Sequence, residues 1–261
     1  MKIFERILDK RIRNIAKVTS NQCGLVRGCG TTDAIHAARI LFEKHREKNV
    51  CLHAAFIDLE KAFDRVPHEL IWYALRQHDV PEALINLVKL LYKDTKSKVV
   101  TAAGTTEDFS IKVGVHQGSA LSPLLFILVM DTLTNDLQTP TPWTLLYADD
   151  VMIAATTKQE LQNRLEQWNA RLTQFGLRIN LKKTEYLSTD KTENGTIRVD
   201  NVDLPRTNSF KYLGSSIADD GSINKDIAAR INCAWHKWKT TTAVLCDPKI
   251  GDRLKSKSTD V

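Results

Sequence analysis

Between Trp143 and Ala155, two apolar runs, Trp143–Tyr147 and Val151–Ala155, are separated only by Ala148-Asp149-Asp150. Runs this short read as strands, and so small a gap leaves room only for a tight antiparallel turn. The pattern therefore puts two adjacent carboxylates at a hairpin tip. A related feature lies upstream, where the apolar run Ala54-Ala-Phe-Ile57 ends at Asp58. Successive side chains of a strand point to opposite faces, so an acid at a strand end can project into a cleft. Adjacent acids at a tip can share one region because the turn breaks that alternation.

Two carboxylates about 4 Å apart repel by about 4 kcal/mol at an effective dielectric of about 20, and so require a counter-charge. A hard divalent cation with oxygen ligands, most often Mg²⁺, is the natural partner. Two such ions about 3.5–4 Å apart serve in-line phosphoryl or nucleotidyl transfer. An Asp-Asp pair alone carries little weight, because aspartate favours turns. Asp219-Asp220-Gly221 reads as such a turn.

The surrounding pattern is mixed. Amphipathic stretches predict helices over 3–18, with Ile3, Ile7, Ile12 and Ile15 on a rough apolar face, and over 33–48. Further helices are predicted over 68–78, 81–92, 119–137 and 224–239, the last with Ile227, Ile231, Trp235 and Trp238 on one face. Thr157-Lys-Gln-Glu160 is a capping box opening a helix with Leu161, Leu165, Trp168, Leu172 and Phe175 on one stripe, ended by Gly176. Runs at 98–103 and 109–113 read as a hairpin, and 184–187, 197–199 and 210–213 as short strands. Helices laid between strands that can pair in one antiparallel sheet give an α+β fold class.

Bulk properties agree with an ordinary globular chain. Of 261 residues, 43% are apolar and 26% charged, and the net charge of +6 is compatible with a polyanionic partner without establishing one. The five cysteines are odd in number and form no C-x-x-C pair, so inert thiols in a reducing compartment are expected. The N-terminus mixes charges from its second residue, unlike a signal peptide. The longest apolar stretch, 120–130, contains Ser122 and Pro123 and is too short to span a bilayer.

The context of the carboxylates carries a resemblance. Tyr147-Ala148-Asp149-Asp150 resembles the Y-x-D-D box of reverse transcriptases, and the segment from Ala55 through Asp58 and Phe63 to Pro67 resembles the family's first acidic motif. Gln117-Gly118, followed by Ser122-Pro123, resembles its Q-G-x-x-x-S-P motif. Gly176 to Thr184, with Asn180 and Lys183, resembles G-x-x-x-N-x-x-K-T, and Phe210-Lys-Tyr212-Leu213-Gly214 resembles the primer-grip segment. The segment from Asn21 to Ile35 is similar to the finger segment of the non-LTR retrotransposon branch, although Leu25 and Cys29 stand where that branch often has an aromatic and a basic residue.

The resemblance implies a right-hand polymerase with fingers and palm over 1–223, an antiparallel palm sheet backed by helices, and the start of a thumb over 224–261. It implies two Mg²⁺ ions, with Mn²⁺ as a substitute, held by Asp58, Asp149 and Asp150, with the Leu59 carbonyl as an added ligand. Phe63 matches the aromatic steric gate that excludes a 2′-hydroxyl, with a core role as the alternative. Gln117 and Gly118 would contact the incoming nucleotide and template, and Arg27 the triphosphate or template unless it is simply surface. Lys183, with Lys182 as a rival, is the implied general acid for pyrophosphate. Tyr212, Leu213 and Gly214 would hold the primer, with packing as the other explanation for Tyr212.

The implied partners are an RNA template, a DNA primer and deoxynucleotides, with no membrane, in the nucleus or cytoplasm. Full elements of this branch carry an endonuclease and a longer thumb, so a fragment, a degenerate copy or an incomplete gene model is expected. The alternative function is a catalytically silent remnant that only binds nucleic acid or protein. An unrelated two-metal nuclease would share the carboxylates but would not explain Gln117-Gly118 or Phe63.

Overall fold

All five residues of β1 (His53–Ile57) are buried, as a strand apolar on both faces requires. The structure, a computed structural model, describes residues 2–250 apart from 103, 194 and 205. β1 lies at the centre of a five-stranded sheet. On one side it pairs with β7 (Asp150–Ala155), which pairs with β6 (Thr144–Tyr147). On the other it pairs with β8 (Glu185–Ser188), which pairs with β11 (Arg206–Thr207). Every pair is antiparallel except β11 on β8.

Eight helices accompany the sheet among the described residues: α1 (Lys2–Arg13), α2 (Thr31–Glu47), α3 (Ala62–Arg65), α4 (His68–Gln77), α5 (Glu82–Tyr92), α6 (Ser122–Thr134), α7 (Lys158–Gln174) and α8 (Asn224–Leu245). The two-residue period of the strands divides the interior into two cores. Ala55, Ile57, Leu146, Val151 and Ile153 join α4, α6 and α7. Ala54, Phe56, Leu145, Met152 and Ala154 join α2 through Ala34, Ala38, Leu41 and Phe42. In α7 the Thr157 hydroxyl accepts the Glu160 N–H at 3.2 Å, as a capping box should, and Leu161, Leu165, Trp168 and Leu172 are buried. The chain leaves α7 at Gly176 with φ +83°.

Several elements depart from the sequence reading. α1 stops at Arg13 and buries Glu5, Leu8 and Ile12, while Ile3 and Ile7 face solvent. The Glu5 carboxylate accepts the Ala120 N–H at 3.0 Å, so a polar residue takes the inner face where isoleucines were expected. The hairpin after α5 is two short ladders, β2 (Lys96–Ser97) with β5 (Phe109–Ser110) and β3 (Val100–Thr101) with β4 (Gly104–Thr105). Ala103, at the end of one expected run, lies outside the described residues.

The expected single sheet is also divided. Among the described residues, β9 (Ile197–Val199) pairs only with β10 (Val202–Leu204), and β12 (Ser209–Tyr212) only with β13 (Ser215–Ala218). In α8 the expected apolar face is exposed at Ile227, Ile231, Trp235 and Trp238. The helix is tied down at Asp226, whose carboxylate accepts from Arg39 and Arg230, each at 2.9 Å, and from the Ser216 N–H at 2.8 Å. Residues 251–261 of the expected thumb segment lie outside the described residues. Among the described residues, no helix is long and apolar enough to cross a membrane.

Trp168 is among the largest fully buried side chains, and its indole N–H has no acceptor among the described residues. Its contribution is therefore packing alone. Trp168→Ala is expected to cost about 3–5 kcal/mol in denaturant unfolding. Trp168→Phe, which gives up no hydrogen bond, is expected to cost clearly less, and equal losses in the two variants would contradict this reading.

Candidate active site

Tyr147 pairs with Asp150 across the hairpin, leaving Ala148 and Asp149 as a two-residue turn. Ala148 has φ +57°, the left-handed conformation that such turns favour glycine to supply at their first position. Across the sheet, β1 and β7 run in register from His53↔Ala155 to Ile57↔Val151. One further step of that register sets Asp58 opposite Asp150. Strand pairing thus brings together carboxylates separated by 91 residues of chain, with Asp149 beside them on the turn.

The electrostatics follow from this placement. Burial, reinforced by the charges of Asp149 and Asp58, pushes the Asp150 carboxyl up to about 6. Burial, with the charge of Asp58, raises Asp149 as well, and Lys183 pulls both the other way. The Lys183 ammonium lies 3.3 Å from Asp58 Oδ1, and the Asn180 amide donates to Asp58 Oδ2 at 3.1 Å. The backbone locks the same segments together: the Asn180 N–H donates to the Asp58 carbonyl at 2.8 Å and the Glu60 N–H to the Arg178 carbonyl at 2.9 Å, bridging Leu59 to Ile179.

Among the described residues, no three acidic, histidine or cysteine side chains are drawn close enough to form a ready-made metal cluster. The carboxylates nevertheless feel one another's charge, because Coulomb interactions reach well beyond ligand distance. Asp58 and Asp150 line a cleft of about 330 Å³ together with Lys182, Lys183, Lys211 and Tyr212. An all-oxygen, part-buried set in which burial raises Asp149 and Asp150 fits a hard divalent ion.

The other residues singled out in the sequence fall into three groups. Phe63 is half-buried, stacked on Phe126 with ring centroids 4.5 Å apart, and its carbonyl accepts the Val115 N–H at 2.7 Å. Gln117 is exposed and donates to Asp64 Oδ1 at 2.7 Å, next to Gly118. Gly114 has φ +89°, and a Cβ there would meet the Asp64 backbone at 3.0 Å, so the Gln117 loop can lie this close only with glycine. Tyr212 is buried, packs on Phe56 with centroids 5.5 Å apart, and its hydroxyl has no partner among the described residues. Leu213 and Gly214, at φ +49° and +84°, form the β12–β13 turn.

Arg27 is exposed and lines a different groove of about 790 Å³ with Lys10, Arg13 and Lys17, which shares no lining residue with the carboxylate cleft. Its loop also corrects the cysteine reading: Cys23 and Cys29 form a disulfide, with Cα atoms 5.2 Å apart. Positive φ at Leu25 and Gly28 turns the chain back on itself between them. Asn180, Asp64 and Gln22 contact the site's residues without having been singled out. Asn180 stood inside a recognised motif, but its reach to Asp58 depends on a loop pairing that no local pattern encodes.

The family described as reverse transcriptase (RNA-dependent DNA polymerase) matches residues 1–217. The chain belongs to this family. It is 28% identical over 262 residues to a retrovirus-related Pol polyprotein from the type-1 retrotransposable element R2 of Nasonia vitripennis, covering 93% of this chain and 25% of that protein. It is 29% identical to the R2 polyprotein of Popillia japonica, covering 87% of this chain and 35% of that protein. This reverse transcriptase-family chain thus spans about a quarter to a third of those relatives. Its fold is that of polymerase fingers and palm. An apo telomerase from Candida tropicalis truncated from its C-terminal domain superposes with a TM-score of 0.57 at 15% identity, over 84% of this chain and 43% of that one. Reverse transcriptases generally use divalent metals.

A pH dependence follows from Asp150. Its folded value lies above the ordinary 3.8, so the folded chain holds this proton more tightly than the unfolded one. The associated stability is complete below 3.8 and is lost as pH rises through about 6. Without divalent ions, the melting temperature is expected to fall over this window more steeply in the parent than in Asp150→Asn. At pH 7 the variant is expected to melt about 2–4 °C higher, on the order of 1 kcal/mol after solvent screening. Parallel pH curves for the two proteins would refute the assignment.

Proposed function

We propose that this chain is the polymerase core of a retrotransposon reverse transcriptase, extending a DNA primer on an RNA template with deoxynucleotides inside the cell. The observation that carries this reading is the strand register that sets Asp58 opposite Asp150, beside Asp149, in a part-buried cleft with Lys183 adjacent. Asp58, Asp149 and Asp150 would hold two Mg²⁺ ions, or Mn²⁺ in their place, with the Leu59 carbonyl as a further oxygen ligand. When bound, these ions supply an acidified primer 3′-hydroxyl and charge stabilisation of the leaving pyrophosphate.

The protein's own groups account for selection and proton movement. The Phe63 ring, backed by Phe126, presents an apolar edge with no hydrogen-bond partner for a 2′-hydroxyl. That favours deoxynucleotides. Gln117, steadied by Asp64, sits with Gly118 where backbone can approach a nucleotide closely. Lys183 is exposed enough to swing from Asp58 toward the pyrophosphate, where its ammonium can give up a proton at Nζ. The Leu213-Gly214 turn would seat the primer end, with Tyr212 anchoring that turn from below. Arg27 contributes to template or triphosphate binding through its own basic groove. The domain division follows, with fingers and palm over 1–223 and the thumb beginning at 224.

The test is primer extension on an RNA template with Mg²⁺ and deoxynucleotides. The parent is expected to extend, and the Asp149→Asn/Asp150→Asn variant to fall to background while still binding primer–template. Phe63→Val is expected to raise ribonucleotide use relative to deoxynucleotide by on the order of tenfold. A folded parent that binds primer–template but does not extend it would favour the silent, binding-only remnant.

A further inference from the structure

The segment preceding the Cys23–Cys29 loop is laid along the outer edge of β6. The Leu146 N–H donates to the Asn21 carbonyl at 2.9 Å and the Cys23 N–H donates to the Leu146 carbonyl at 2.8 Å, so that Gln22 and Leu146 form a parallel bridge. Contact continues at Gly24, where a Cβ would lie 2.4 Å from the Ala148 nitrogen and 2.7 Å from the Tyr147 carbonyl carbon. Both obstacles are backbone, so no side chain can be fitted at Gly24 without moving the carboxylate-bearing turn.

Gln22 is buried within this contact. Its Oε1 accepts the Gly24 N–H at 3.0 Å and the Ala148 N–H at 3.3 Å. Two backbone donors converge on one atom, which settles that atom as the oxygen of the amide. The Gly24 N–H has a second acceptor, the Leu146 carbonyl at 3.4 Å, whereas the Ala148 N–H has Gln22 alone among the described residues. The other end of the amide, Nε2, has no partner among the described residues. Ala148 is also the residue held at φ +57°, unfavourable for an L-residue and directly before Asp149-Asp150.

From this convergence we infer that Gln22 is a positioning residue: its side-chain carbonyl holds the Ala148 N–H and so fixes the turn that aims Asp149 and Asp150. The inference takes its catalytic meaning from the polymerase reading above, but the contact itself stands without it. Among the described residues, the Gln22 side chain bonds to the Gly24 and Ala148 backbone N–H groups. It acts through the backbone of the turn alone.

Gln22→Met keeps the length of the side chain and removes the acceptor together with the unpartnered donor. In the chain without primer or nucleotide, the Ala148 amide is expected to exchange with solvent about tenfold faster in this variant, the scale of one lost neutral hydrogen bond. Gln22→Glu, which keeps an acceptor at the same reach, is expected to leave that amide protected. In primer extension, Gln22→Met is expected to lower kcat about tenfold with primer–template Kd unchanged. Adding Ala148→Gly, which accepts positive φ freely, is expected to restore part of the loss. Unchanged Ala148 exchange in the methionine variant, lost protection in the glutamate variant, or a kcat deficit that Ala148→Gly leaves untouched would each overturn the inference. A parent that fails to extend primers would instead sink the polymerase reading, leaving amide exchange to decide this one.

Discussion

Mutual repulsion among Asp58, Asp149 and Asp150 is the force the surrounding structure has to oppose. Left to itself, a strand end bearing an acid would turn away from a neighbour bearing two more. The opposing element is the centre of the sheet. β1 is buried throughout, and β7 is buried beyond Asp150. Both are gripped by separate hydrophobic cores on their two faces. Close-packed interiors yield little to local strain, so the strands hold their acids at the cleft even as Asp150 is driven up to about 6. The Asn180–Lys183 segment completes the arrangement, giving each oxygen of Asp58 a donor of its own.

What could be read from the sequence was what local pattern encodes. The acids at the strand ends, the capping box at Thr157 and the Leu161–Leu172 stripe each depend on neighbours within a few residues. The α1 face could not be ranked this way, because Glu5 is drawn inward by the Ala120 N–H, 115 residues distant in the chain. The division of the expected sheet has a similar origin. Nothing in 197–199 or 209–212 distinguishes a ribbon strand from a sheet strand, since the difference lies in which partner each meets. The disulfide was invisible for a third reason: a six-residue spacing closes only when positive φ at Leu25 and Gly28 folds the loop back.

Residues around the site divide along the same line. Asp58, Asp149 and Asp150 could be singled out as a candidate site because carboxylates at strand ends need an explanation. Gln22 and Asn180 were not, since a neutral amide is unremarkable until its partner is known. Their partners are the Ala148 N–H and the Asp58 carboxylate, each more than 100 residues away.

Packing and function are not competing explanations for the Phe210–Gly214 segment. Phe56 stacks on Phe210 with centroids 4.3 Å apart and also contacts Tyr212. Phe56 lies two residues before Asp58, on the opposite face of β1 from Ile57, so the aromatic packing beneath β1 ties the β12–β13 ribbon to the strand that delivers the first acid. Tyr212 lines the cleft, but its ring is mostly taken up in that core. What it fixes is the tip that follows. Leu213 and Gly214 both adopt positive φ there, a conformation costly for leucine and sustained only by the structure on either side. The Ala148-Asp149 turn repeats the pattern, with Ala148 held at positive φ between a rigid hairpin below and Gln22 at its flank. Both turns are strained, and buried neighbours set the position of each. Buried side chains determine where the exposed ones stand.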